Sequence, residues 1–304
     1  MNERSALLEL LRQLRSRDYR FICVTPSTHR TVVERALIGE PSLRDIFGWN
    51  RPFDEGQLDP ELLTLLRSAR CVDQNGESLR SHVRVASLDG ELFLHSSYPT
   101  ESSNAVFFGP DTYRFARFVL PRLRKLPGTR HIVEMGAGSG AVGILAAKQL
   151  PSAEIALIDV NPVAAEFARI NATAAGAEVQ CIVSDRIPDG CDLVIANPPY
   201  LMDTAQRAYR DGGGLFGGDV ACDWVSQALA ALVPGGTMLL YTGAAMMCGR
   251  APLLDRVEEL CREAQARFAW GEIDPDVFGE ELLEDGYEKV ERIAAVGIEI
   301  TTAR

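Results

Sequence analysis

The chain has 304 residues, 46% of them hydrophobic and 24% charged, with a net charge of −11 at neutral pH. That length can bury one full domain with an appendage, and no uninterrupted apolar run approaches the span of a membrane. Residues 1–100 hold 13 basic and 14 acidic side chains, so the negative excess falls on 101–304 and disfavours a nucleic-acid partner.

Arg4, Arg12, Arg15 and Arg17 are interleaved with leucines at 7, 8, 10, 11 and 14, which predicts an amphipathic helix over 5–16 capped by Ser5, not a signal peptide. Thr25-Pro26 opens a second helix through about Leu37, and Asp59-Pro60 a third through about Arg70. Between them, residues 46–53 form an aromatic stretch without regular period, read as a plug for the core. Residues 81–87 alternate, Asp89-Gly90 turns and 91–95 continue, which predicts a β-hairpin. Tyr98-Pro99-Thr100 then begins a linker. The basic runs Arg12, Arg15, Arg17, Arg20 and Arg122-Leu123-Arg124-Lys125 read as solvated helix faces or ends.

From residue 130 the pattern alternates. A short buried strand, 131–135, meets Gly136-Ala137-Gly138-Ser139-Gly140 and a small-residue helix over 141–148. The next strand, 154–158, ends in Asp159; after a helix and a third strand, the fourth, 191–196, ends in Asn197-Pro198-Pro199-Tyr200. A turn at 232–236 leads into a fifth strand at 237–242, an acidic helix covers about 251–265, and strands at 267–271 and 291–301 complete seven. Strand–helix alternation of this kind predicts an α/β fold, a parallel sheet with helices on both faces.

Two motifs carry chemistry. Glycines at a strand-to-helix turn let the backbone approach a nucleotide cofactor, and an acid at the end of the next strand suits ribose hydroxyls. A dinucleotide competes for the same turn, but the spacing is G-x-G-x-G with Ala141 after it. Glu134 would also repel a pyrophosphate while suiting an ammonium. In the second motif the Asn197 amide oxygen and the Pro198 carbonyl can accept the two protons of an amino group beside the Tyr200 ring. Prolines fix φ and lack N–H groups, so the strand stops there; ordinary strand termination is the competing reading.

Together, Glu134 to Gly140, Asp159, Asp185 and Asn197-Pro198-Pro199-Tyr200 resemble the ordered motifs of class I S-adenosylmethionine-dependent methyltransferases of the NPPY type, over roughly residues 105–245. The resemblance implies a Rossmann-like seven-stranded sheet whose last strand runs antiparallel at the edge. A mixed α+β N-terminal domain (1–104), for substrate recognition or as a lid, would precede a catalytic domain (105–304). S-adenosyl-L-methionine is the implied cofactor. Glu134 would lie near its methionine amine, Gly136, Ala137 and Gly138 would line it, Asp159 would bind ribose with Val160 alongside, and Asp185 would lie near adenine. The segment across the cofactor adds Phe107, Phe108 and Thr112 as pocket candidates, core packing being the equal alternative. Asn197, Pro198 and Tyr200 would hold the nitrogen nucleophile.

Three readings follow. The first is methyl transfer to a nitrogen of a protein side chain or small molecule. The second is cyclisation of the cofactor, its α-amine attacking its own γ-carbon to give azetidine-2-carboxylate and methylthioadenosine without an acceptor. The third is a non-enzymatic cofactor-binding scaffold. The first is favoured. A hairpin in the N-terminal hundred residues departs from the helical extra domain of release-factor glutamine methyltransferases. The glycine-rich stretch 209–219 is read as a flexible lid. Seven scattered cysteines without a C-x-x-C pair suit a reducing cytoplasm, and four unclustered histidines predict no metal.

Overall fold

The computed structural model describes residues 1–304 except 77, 101, 127, 204–206 and 208. The chain opens with α1 (Glu3–Ser16), whose leucines are buried. Its cap is Asn2, not Ser5: the Asn2 carboxamide oxygen accepts the Ser5 N–H at 2.8 Å. Helix α2 (Pro26–Val33) stops short of Leu37 because the Arg51 guanidinium donates to the carbonyls of Val32, Val33 and Arg35, satisfying the acceptors a helix end leaves open. The aromatic stretch is buried as a plug, but its start is helical. There α3 (Leu43–Phe47), closed by a Ser42–Asp45 capping box, buries Ile46 and Phe47.

Next come β1 (Phe53–Asp54), α4 (Pro60–Ser68), β2 (Val72–Asn75) and β3 (Ser78–Ser81), the three strands forming a small antiparallel sheet in the order β1-β3-β2. These strands are too short and polar to show a period in the sequence. The expected hairpin is present as β4 (Val83–Leu88) and β5 (Glu91–Ser96), paired antiparallel from Val83 opposite Ser96 to Leu88 opposite Glu91.

The second half contains α5 (Pro110–Leu123), β6 (His131–Met135), α6 (Ala141–Gln149), β7 (Glu154–Asp159), α7 (Pro162–Ala175), β8 (Gln180–Val183) and β9 (Cys191–Ala196). There follow the one-turn α8 (Gly214–Gly217), α9 (Asp219–Ala231), β10 (Leu232–Met246), α10 (Pro252–Glu263), β11 (Arg267–Asp274) and β12 (Arg292–Thr301). The seven-stranded sheet runs β11-β12-β10-β9-β6-β7-β8, parallel from β10 to β8, and is Rossmann-like as expected. One expectation is corrected: β12 is antiparallel but is not the edge strand. It lies between β10 and β11, and Ile293, Val296, Ile298 and Ile300 are buried there. A strand apolar on both faces belongs inside a sheet, which leaves the more exposed β11 at the edge.

The core does not pause at residue 104. Leucines of α1, α4 and the β4–β5 hairpin share one buried cluster with α5, α6 and α7. Asn171 of α7 ties the parts together, accepting the Leu94 N–H at 2.8 Å and donating to the carbonyls of Leu94 (3.2 Å) and Ser139 (2.9 Å). The hairpin is therefore linked to the glycine turn through the Asn171 carboxamide.

Candidate active site

The parallel strands β6, β7 and β9 end together, and the turns leaving them surround a cavity of about 430 Å³. Crevices beyond the carboxyl ends of parallel strands are where open α/β sheets bind ligands. One wall is the turn after β6. Glu134, Gly136, Ala137 and Gly138 all line the cavity. Gly136 has φ of +67°, and a Cβ there would sit 2.4 Å from the Trp224 ring, so only glycine lets α9 close against this turn. The Glu134 carboxylate accepts the Gly143 N–H at 2.7 Å. Burial pushes the Glu134 carboxyl up to about 8, against the opposing pull of that N–H.

Asp159, at the end of β7, also faces the cavity with Val160 beside it. Its carboxylate accepts the Gly138 N–H and the Asn161 N–H, both at 2.8 Å, so it braces the glycine turn; burial nevertheless raises its carboxyl. Opposite, Asn197, Pro198, Pro199 and Tyr200 leave β9 along the cavity. The Asn197 Oδ1 atom is buried and has no hydrogen-bond partner among the described residues. An orphaned acceptor at a cavity wall costs stability unless a ligand satisfies it.

Tyr200 is held rigidly. Its hydroxyl donates to Asp111 Oδ2 at 2.7 Å, while the Tyr241 hydroxyl donates to Asp111 Oδ1 at 2.6 Å. Arg114 reaches the same carboxylate at 3.1 Å and Asp274 at 2.8 Å. A Cβ on Gly243 would meet the Tyr200 ring at 2.2 Å, so β10 forms a flat bed for it. Burial, then the adjacent Asp111 charge, keeps the Tyr200 phenol well above its ordinary range, which leaves a neutral ring and not a phenolate base.

Phe107 and Thr112 line the cavity. Phe108 does not. Residues along an extended segment alternate sides, so Phe108 points inward and stacks on Phe93 and His95 in the core. Asp185 is also outside the cavity: its chain turns at Ser184, whose hydroxyl accepts the Arg186 N–H, and the carboxylate is 75% exposed beside Arg186. Sequence reasoning missed Asp111, Tyr241 and Trp224. Asp111 sits in the first turn of α5, where an acid reads as an ordinary helix-start residue, so only long-range geometry gives it away.

The glycine-rich stretch 209–219 lies against the Asn-Pro-Pro-Tyr loop. It is pinned to the segment after Tyr200: Gly212 N–H donates to Leu201 O at 2.8 Å, and Leu201 N–H to Arg210 O at 3.2 Å. It contributes Tyr209, Arg210 and Asp211 to the cavity wall. Glycine is needed at 217 because a Cβ would lie 2.3 Å from Tyr200 O, so these glycines provide backbone contact and not a free flap.

Asp111, Asp159 and Asp211 line the cavity with Glu134, whose carboxyl holds its proton, and with Arg210; carboxylates still outnumber the arginine, which favours a cationic ligand and opposes a pyrophosphate. A cofactor with a sulfonium and an ammonium fits this lining, the free acceptor of Asn197 and the close glycine turn.

Comparison with known proteins agrees. The family described as methyltransferase small domain matches residues 101–267. The fold and motifs define a class I S-adenosylmethionine-dependent methyltransferase architecture of the NPPY type. The chain belongs to the methyltransferase small domain family, and S-adenosyl-L-methionine is its cofactor. It is 32% identical to a release factor glutamine methyltransferase from Deinococcus radiodurans over 54% of this chain and 63% of that protein. It is 24% identical to a ribosomal RNA small subunit methyltransferase C from Pseudomonas aeruginosa, over 77% of this chain and 62% of that one. The chain thus spans less than two thirds of the length of either relative. The fold recurs in Trm5b from Pyrococcus abyssi, with a TM-score of 0.52 and 16% identity, covering 77% of this chain and 62% of that chain. No helix of the described residues is long and apolar enough to cross a membrane.

Proposed function

We propose that this chain transfers the methyl group of S-adenosylmethionine to a nitrogen of a protein side chain or small molecule. The observation that carries the reading is the buried, unpartnered Oδ1 of Asn197, on a wall shared with the glycine turn. The cofactor supplies an already activated methyl, so the protein's task is alignment. In this reading Glu134 receives the cofactor ammonium, Gly136, Ala137 and Gly138 flank its sulfur end, and Asp159 and Val160 hold the ribose. Thr112 and Phe107 close the pocket. Asn197 Oδ1 and the Pro198 carbonyl take the two protons of the acceptor nitrogen and aim its lone pair, and the Tyr200 ring, locked by Asp111, gives a fixed π face beside the positive charge.

Similarity to release factor glutamine methyltransferases supports an amide nitrogen of a protein as the acceptor class. Residues 1–104 serve as the recognition part, reaching the cavity wall through Pro26 and Ser103, with 105–304 as the catalytic part.

Incubation with S-adenosylmethionine, with and without a glutamine-containing protein acceptor, tests this by mass spectrometry. S-adenosylhomocysteine forming only with acceptor is expected. Methylthioadenosine and azetidine-2-carboxylate from the cofactor alone would establish cyclisation instead, and an unchanged cofactor with every acceptor would leave a scaffold. Asn197→Ala is expected to lower turnover by roughly a hundredfold, the scale for a misplaced nucleophile, while cofactor affinity changes little. Equal loss of both would show that Asn197 is structural.

A further inference from the structure

Arg15 and Arg20 of one basic run and Arg124 of the other, about a hundred residues apart in sequence, come together in space. A second groove, of about 690 Å³, lies behind α5, with Arg15, Arg20, Arg44, Arg117 and Arg124 around it. Arg15 pairs with Glu91, but the other four have no carboxylate within 4.0 Å among the described residues. Four guanidinium groups without a paired carboxylate thus share one concavity. Two carboxylates, Asp18 and Asp89, line the same groove and leave it net positive.

The groove is not only basic. Leu88, Leu92, Leu120 and Pro121 contribute to its walls, and Ile22 stands there 58% exposed. Arg44 lies 5.8 Å from the Phe21 ring centroid. A phosphate backbone calls for a basic track without acids or apolar relief, and the −11 charge of the whole chain repels it at long range. Arginine forks around an apolar floor match carboxylates interspersed with aliphatic side chains.

We infer that this groove docks an acidic, leucine-bearing segment of a protein partner. Helix α5 connects it to the cavity: Asp111, Thr112 and Phe115 face the cavity while Tyr113, Arg117 and the Arg124 cap face the groove. A partner seated there is held one helix away from the Asp111–Tyr200 lock. The inference stands on the groove's own residues, whatever nitrogen is methylated.

Fluorescence anisotropy of the full-length protein tests it, with a labelled peptide of alternating glutamate and leucine, a labelled polyglutamate peptide and a labelled oligouridine as probes. The glutamate–leucine peptide should bind most tightly. Arg117→Ala with Arg124→Ala should weaken it about tenfold or more, since neither arginine has a paired carboxylate within 4.0 Å among the described residues. Ile22→Ser should weaken it several-fold while leaving polyglutamate binding unchanged. Unchanged cofactor affinity in these variants would confirm that they are folded. Tighter binding of oligouridine than of either peptide overturns the inference, as does no peptide binding, or a double variant that binds like the parent protein.

Discussion

Two glycine-rich segments border the same cavity and use the missing side chain differently. In the turn after β6, Gly138 has φ of +54° and an added Cβ would meet nothing within 4 Å. Glycine there leaves space that the chain itself does not fill. In the segment before α9, a Cβ on Gly212 would fall 1.9 Å from Gly217 O, and one on Gly217 would fall 2.3 Å from Tyr200 O. Glycine there lets backbone lie on backbone. The first segment is open toward a ligand; the second clasps the Asn-Pro-Pro-Tyr loop and fixes where its acceptors sit.

Substitution can break this contrast. Gly217→Ala should displace Tyr200 and its neighbours, costing about 1–3 kcal/mol of stability by overpacking and roughly a hundredfold in turnover by misalignment. Gly138→Ala should cost only about 1–2 kcal/mol of left-handed strain while weakening cofactor binding, because its methyl enters the cavity. Thermal melts and isothermal calorimetry on the pair decide the matter. If Gly217→Ala kept both its melting temperature and its rate, the clasp would be a free loop after all.

A smaller effect sharpens the clasped side. Asp111→Asn keeps the shape but removes the charge that receives the Tyr200 and Tyr241 hydroxyls. Turnover should fall roughly tenfold with little change in cofactor affinity, the pattern expected when only alignment suffers. A rise in KM for the cofactor with an unaltered kcat would argue that the lock serves binding instead.

The open side has its own pH signature. Buried Glu134 holds its proton up to about 8 in the folded protein, against 4.5 when exposed. A raised carboxyl contributes stability that is complete below 4.5 and is lost as pH rises toward 8. His29 does the reverse: burial, with Arg84 adding to it, lowers its imidazole from 6.5 to about 4, so its contribution is lost as pH falls through that window. The melting temperature of Glu134→Gln minus that of the parent, followed from pH 4.5 to 8, should therefore climb. A flat difference would show that the Glu134 carboxyl is ionised throughout.

Local patterns account for what could be read in advance. The run into Gly136–Gly140, the acid ending β7 and the loop ending β9 each declare themselves within a dozen residues, and the strand–helix alternation places them together at the carboxyl ends of the parallel strands. The rest depends on contacts distant in sequence. Phe107 and Phe108 look equivalent until one is seen to stack on His95. Asp111 gains its meaning only from Tyr200 and Tyr241, the latter 130 residues away. The arginine runs look like solvated helix faces because each is short, and only their placement in space shows Arg15, Arg20 and Arg124 sharing a groove with Arg44 and Arg117. The contacts of the 209–219 stretch were not legible either, because composition reports conformational freedom but not which backbone comes close.

The position of β12 has a consequence for synthesis of the protein. Both neighbours, β10 and β11, pair with it and not with each other, so the sheet stays split until residues 292–301 have emerged from the ribosome. Before then β10 shows an unpaired edge, and Gly243, the bed for Tyr200, lies on that edge. Tyr241 and Gly243 gain their antiparallel partners, Gly297 and Ala295, only when β12 docks between β10 and β11.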